Sequence, residues 1–195
     1  MSALHAALLL LARGHGRPGG AWIGLSWLLA VTHLGLLGPR RSLGPANTVT
    51  LARGCLPALA AGWWTGPAAL AADFLDGQLA RRRDEATVFG SYADTIADAA
   101  FWNWFAARHE PSRLLRVAAV AAWAAPAAAA AVLSIARGQM TDIPRPALVR
   151  PAAPLAVLLV VRACTRRHGQ APAPAARPAT HRAAPLFRSG RAARR

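Results

Sequence analysis

Hydrophobic positions in this chain run in long blocks, and charged residues interrupt them mainly at their ends. The windows 18–39, 54–72, 99–107, 117–136 and 151–161 contain no Asp, Glu, Lys or Arg. The first, second and fourth are 22, 19 and 20 residues long. A helix of about 20 apolar residues covers the ~30 Å hydrocarbon core of a bilayer. A water-soluble helical domain would place charge on its outer face at nearly every turn, and these windows do not. They are rich in Ala and Leu without period-two alternation, which argues against strands. The pattern predicts six segments, at about 20–38, 47–63, 65–82, 88–107, 115–136 and 147–162. Pro39 and Pro45 separate the first pair, Trp63-Trp64-Thr65-Gly66-Pro67 reads as a tight turn at an interface, and Pro111 opens a connection. The fold class expected is all-α, a polytopic membrane helix bundle of about six transmembrane segments.

Composition changes this picture at the ends of the chain. The 195 residues carry a formal charge of +15 from 23 basic residues, all Arg, and eight acidic ones. Such a balance fits a nucleic-acid binder or a membrane protein. The Arg residues gather at the ends of apolar windows and in the tail, not along one helical face, so no nucleic-acid partner is expected. Residues 1–13 are too short to span and suit the membrane interface. They lack a cationic start and a small-residue cleavage site and read as mature sequence. Residues 1–164 form the expected membrane-embedded domain. Residues 165–195, rich in Arg, Pro and Ala, are expected to be disordered and drawn to anionic headgroups. Trp102 and Trp104, like the Trp63-Trp64 pair, read as interface anchors. Cys55 and Cys164 make no metal-ligand spacing.

The acids are the unusual feature. Asp73, Asp76, Asp84, Glu85, Asp94 and Asp98 fall within one 26-residue stretch, and only Glu110 and Asp142 lie elsewhere. At 100° per residue, Asp73, Asp76, Gly77 and Ala80 share a stripe about 100° wide on one helix, and Gly90, Asp94 and Asp98 a second of about 80°. Arg81-Arg82-Arg83-Asp84-Glu85 is a polar turn between them. Two antiparallel helices joined there bring four carboxylates face to face near one membrane surface. One ionised Asp in mid-membrane costs roughly 2.5–3.5 kcal/mol, and four together also repel. A pair of divalent cations compensates this, because hard ions such as Mg²⁺ take carboxylate oxygens and hold substrate phosphates. Small residues at Gly77, Ala80 and Gly90 let a ligand or backbone approach.

Written as D-x2-D-G-x2-A-R-x8-G-x3-D-x3-D, the stretch from Asp73 to Asp98 resembles the signature of the CDP-alcohol phosphatidyltransferases, with all eight fixed positions matched. Upstream, Pro45-Ala46-Asn47-Thr48-Val49-Thr50-Leu51-Ala52-Arg53 is similar to the opening of that family's first core helix, with one residue inserted between Pro and Asn. The resemblance covers about residues 45–107. It implies a membrane enzyme that moves a phosphatidyl group from CDP-diacylglycerol to an alcohol and releases CMP. It implies two divalent ions, Mg²⁺ or Mn²⁺, on Asp73, Asp76 and Asp94, with Asp98 as base for the acceptor hydroxyl and as a further metal ligand. Asp76, Gly77, Ala80, Arg81 and Gly90 would bind the CDP-lipid. Asn47, Thr50 and Arg53 are candidate phosphate contacts, and Arg53 alone reads equally as an interfacial snorkelling residue. Arg137, Arg145 and Arg150 flank a loop where they would either meet the acceptor's phosphate or mark topology.

The acceptor expected is a small polyol phosphate, glycerol 3-phosphate first and inositol phosphate next. A homodimer in the cell membrane is expected by family analogy, with the active site near the cytoplasmic face. Strict alternation of six segments then places the Arg-rich tail on the other side, against the positive-inside tendency. Competing readings are a membrane prenyltransferase, whose Asp-rich motifs lie far apart in sequence, and a divalent-cation-binding or non-catalytic membrane protein.

Overall fold

The computed structural model describes residues 1–14, 19–39, 42–83, 87–139 and 152–169. Every regular element among them is helical: α1 (Ser2–Gly14), α2 (Gly20–Thr32), a 3₁₀ turn at Leu34–Leu37, α3 (Gly44–Gly54), α4 (Leu56–Leu59), α5 (Thr65–Arg82), α6 (Val88–His109), α7 (Arg113–Arg137) and α8 (Ala152–Gly169). The all-α expectation therefore holds, whereas the segment lengths need correction.

Local chemistry shortens two of the six apolar segments. The 20–38 segment stops being α-helical at Thr32, whose hydroxyl bonds back to the carbonyls of Leu28 and Leu29 at 3.0 Å, a competition that weakens helix continuation. The 47–63 segment breaks after Gly54, and Pro57 sits in the first turn of α4. A proline there has no N–H to return to the Arg53 carbonyl, which favours the break seen after Gly54. Helices of 13 residues such as α1 and α2 reach only about 20 Å. Among the described residues, Arg113–Arg137 alone is long and apolar enough to cross a membrane by length and composition. In α5 and α6 the motif acids themselves dilute the apolar character.

Two packed regions hold the site between them. At the N-terminal side, Leu8 and Ala12 of α1, Ile23 of α2, Cys55 and Ala58 form one buried cluster, so α1 is a packed helix and not only an interfacial one. The Trp22 indole N–H donates to the Gly54 carbonyl at 2.8 Å, fixing α2 against the end of α3. Towards the C-terminal end of α6, Phe101, Trp102 and Phe105 pack on Ala69 of α5, Ala119 of α7 and Ala156, Leu159 and Val160 of α8. Trp102 is thus a core residue, 5% exposed, and not an interface anchor. The reason is its register: it lies one turn beyond Asp98 on the inward stripe of α6. Gly66 permits the α5 crossing, since a Cβ there would meet the Phe105 ring at 2.7 Å and Val160 at 2.9 Å.

The last helix also departs from expectation. It begins at Ala152 and continues through Thr165–Gly169, beyond the 164/165 boundary drawn from composition. Arg162 and Arg166, one turn apart, reach the same acid, Glu110, in the connection between α6 and α7. The C-terminal end of α8 therefore lies beside the C-terminal end of α6, away from the α5–α6 connection. The remainder of the 165–195 tail lies outside the described residues.

Candidate active site

α3, α5 and α6 supply the site, and close helix approach makes it possible. A Cβ on Gly54 of α3 would lie 3.1 Å from that of Ala97 on α6, so the two helices cross almost backbone to backbone. Near the start of α6, a Cβ on Gly90 would collide with the Asn47 side-chain oxygen. Asn47 donates to the Leu43 carbonyl at 2.6 Å and lies 3.5 Å from Thr87 Oγ1. Thr87 caps α6, its hydroxyl accepting from the Gly90 N–H at 3.0 Å, the usual satisfaction of a helix N-terminus.

The four motif carboxylates converge on one guanidinium. Arg53 Nη1 donates to Asp73 Oδ1 at 2.8 Å and lies 3.5 Å from Asp76 Oδ2. Arg53 Nη2 pairs with Asp94 and lies 3.0 Å from Asp98 Oδ1. Thr50, one turn before Arg53, donates to Asp76 Oδ2 at 2.7 Å. Trp102 follows Asp98 by one turn on α6 and packs in the core beyond it. The Arg53 side chain is fully buried, while Asp73 is 55% exposed and the other three acids are 10–14% exposed. A snorkelling role for Arg53 is therefore excluded, because its charged head points into protein. Its Nε is buried without a hydrogen-bond partner among the described residues.

Four carboxylates against one guanidinium leave a formal charge of −3 in a largely desolvated place. Such an excess needs further cations. One oxygen from each of Asp73, Asp76 and Asp94 lies within 4.8 Å of the others. That all-oxygen set suits a hard divalent ion. Asp98 lies outside this group of three and reaches it through Arg53.

A cavity of about 430 Å³ opens beside the acids, within the size range of small-ligand sites. Asn47, Thr50, Asp76, Gly77, Ala80, Gly90 and Asp94 line it, as do Ala46, Thr87, Val88 and Ser91, which the motif reading did not single out. Arg81 is exposed, with its guanidinium folded over Gly77. Arg137 is exposed at the end of α7 and is not among the lining residues. Arg145 and Arg150, like Asp84 and Glu85, lie outside the described residues.

A second charged cluster lies in the α6–α7 connection. Arg162 holds Glu110 in a two-pronged pair at 2.9 and 3.1 Å, Arg166 adds a bond at 3.2 Å, and the Ser112 N–H donates at 3.0 Å. These bonds, Arg162's foremost, hold the Glu110 carboxyl well below its ordinary range, at about 2, against the opposing effect of burial.

A family model described as CDP-alcohol phosphatidyltransferase matches residues 45–180, more than half of the chain. Helices α1 and α2 precede the matched region. No curated protein and no solved structure matched the chain.

Proposed function

Because this chain belongs to the CDP-alcohol phosphatidyltransferase family, we propose that it transfers a phosphatidyl group from CDP-diacylglycerol to the hydroxyl of a small polyol phosphate. Glycerol 3-phosphate is the foremost acceptor and CMP the leaving product. Membership makes the protein a transferase of phospholipid biosynthesis that takes a CDP-alcohol and an alcohol acceptor. The observation that carries the finer reading is the convergence of Asp73, Asp76, Asp94 and Asp98 from two helices beside a cavity.

The family uses divalent metals, and Asp73, Asp76 and Asp94 are the residues that would hold them, with Asp98 at the edge of the set. Bound Mg²⁺ or Mn²⁺ supplies charge neutralisation at the bridging phosphates and the departing CMP. Asp98 receives the proton of the acceptor hydroxyl as its oxygen bonds to the lipid-side phosphorus. The phosphorus–oxygen bond to CMP breaks, and its electron pair leaves with CMP. Thr50 fixes the orientation of Asp76. Gly77, Ala80 and Gly90 leave room for the nucleotide, with Arg81 at the cavity edge. Asn47 presents a polar side chain where a phosphate would pass.

A multi-pass arrangement in the cell membrane is supported by the outward faces of the helices. Leu114, Val117, Val120, Val132 and Ile135 of α7 are each more than half exposed, as is Val161 of α8. In water such faces carry charge; in lipid they need none. The same faces offer area for a homodimer. The Arg81–Arg83 end of α5 is assigned to the cytoplasmic face, which puts the acids roughly 9–15 Å below the ends of α5 and α6 at 1.5 Å per residue.

Product analysis tests the acceptor. Purified full-length protein is given labelled CDP-diacylglycerol with glycerol 3-phosphate, inositol phosphate or a neutral alcohol, and the lipid product is identified. Phosphatidylglycerol phosphate is expected. A product formed only with inositol phosphate reassigns the acceptor, and no product from folded protein with any acceptor overturns the reading.

A further inference from the structure

We infer that Arg53 is a resident cation that divalent metal must displace. Its guanidinium gathers the four site carboxylates and competes with metal for their oxygens. The inference rests on the reading of these acids as metal ligands.

The oxygens that Arg53 contacts belong to the very carboxylates that would coordinate. Nη1 lies 2.8 Å from Asp73 Oδ1 and 3.5 Å from Asp76 Oδ2, and Nη2 pairs with Asp94 Oδ1 and, at 3.0 Å, Asp98 Oδ1. One oxygen from each of Asp73, Asp76 and Asp94 lies within 4.8 Å of the others. A divalent ion placed among them meets the guanidinium at close range, positive charge against positive charge, or takes over its contacts.

The environment of Arg53 fits a cation held by the acids alone. Both terminal nitrogens face carboxylates, while Nε is buried without a partner among the described residues. Buried donors are normally paired, so among the described residues this guanidinium is placed by its acids, with no bond on its inner side. It can withdraw from the acids without breaking any other bond that Nε makes. Arg53 also belongs to α3 while the acids belong to α5 and α6. Without it the three helices would meet around four mutually repelling charges. The residue therefore ties the three helices together at the acids and raises the metal concentration needed to load the site.

The test uses the full-length protein in detergent, stripped of metal, titrated with MnCl₂ while free Mn²⁺ is read by electron paramagnetic resonance. Thermal unfolding is followed in parallel for wild type, Arg53→Gln, Arg53→Lys and Asp94→Asn. Arg53→Gln should bind Mn²⁺ about tenfold or more tightly than wild type. Its metal-free form should unfold at lower temperature, and Mn²⁺ should raise its Tm by more than it raises that of wild type. Arg53→Lys keeps the charge but loses the planar fork and should fall between the two. If Arg53→Gln does not fold without metal, Arg53→Lys decides: tighter binding than wild type supports the inference. Equal or weaker Mn²⁺ binding in the folded variants overturns it. Wild-type binding abolished by Asp94→Asn but not tightened in the Arg53 variants sinks this inference alone. A folded wild type that binds no Mn²⁺ sinks the metal-site reading and this inference with it.

Discussion

The two charged clusters join helices with the same chemistry and opposite stoichiometry. At the α3–α5–α6 crossing, four carboxylates share one buried guanidinium, and a cavity opens beside them. In the α6–α7 connection, one carboxylate, its side chain 1% exposed, is held by two Arg side chains that keep 30–40% of their own surface in contact with surroundings. Glu110 has all it needs: both oxygens accept hydrogen bonds, and its charge is more than balanced. Among the described residues the Asp cluster is left with a charge deficit that Arg53 alone does not fill. A balanced buried pair reads as a structural tie, and an unbalanced one beside a cavity reads as a place for a charged ligand.

That contrast breaks most visibly at Asp98. Asp98→Asn should lower kcat by about 10²–10⁴-fold, while CDP-lipid binding and Tm stay near wild type. Normal turnover would remove Asp98 from the proton transfer.

At the other cluster the expected effects fall on stability. Glu110→Gln should lower Tm by about 4–8 °C and leave turnover per folded molecule unchanged. Lost turnover at unchanged Tm would move Glu110 into the chemistry. The pH response sharpens this further. The Glu110 carboxyl is held at about 2 against an ordinary 4.5, so folding favours its ionised form. Its stabilisation is complete above about pH 4.5 and fades as the pH falls towards 2. The Tm gap between wild type and Glu110→Gln should be constant from neutral pH to about 5 and shrink below it. A gap that widens on acidification contradicts the pairing.

Much of the site was legible because helical period is a local property. Asp73, Asp76, Gly77 and Ala80 repeat on one face, and Gly90, Asp94 and Asp98 on another, whatever the helices pack against. Trp102 continues that second stripe with the same four-residue step, a signal that was present but read as an interfacial tryptophan. Arg162 and Arg166 likewise repeat at four residues, yet nothing local announces Glu110, some 50 positions earlier, as their partner. The central position of Arg53 depends on α3 crossing α5 and α6, contacts 20 to 45 residues away in sequence, and no period encodes them. Segment lengths were overread for a different reason. Charge-free windows mark apolar stretches, but they do not register that Pro57 breaks α3 from α4 or that Thr32 ends α2.

The central claim is that the Asp cluster performs phosphatidyl transfer from a CDP-linked lipid. Its most direct measurement is CMP release from CDP-diacylglycerol by the purified full-length protein, with a polyol phosphate acceptor, in Mg²⁺ or Mn²⁺ and after chelation. Release should require both acceptor and divalent ion and be lost in Asp98→Asn. Folded wild-type protein that releases no CMP with any acceptor, or releases it equally in Asp98→Asn, would contradict the account.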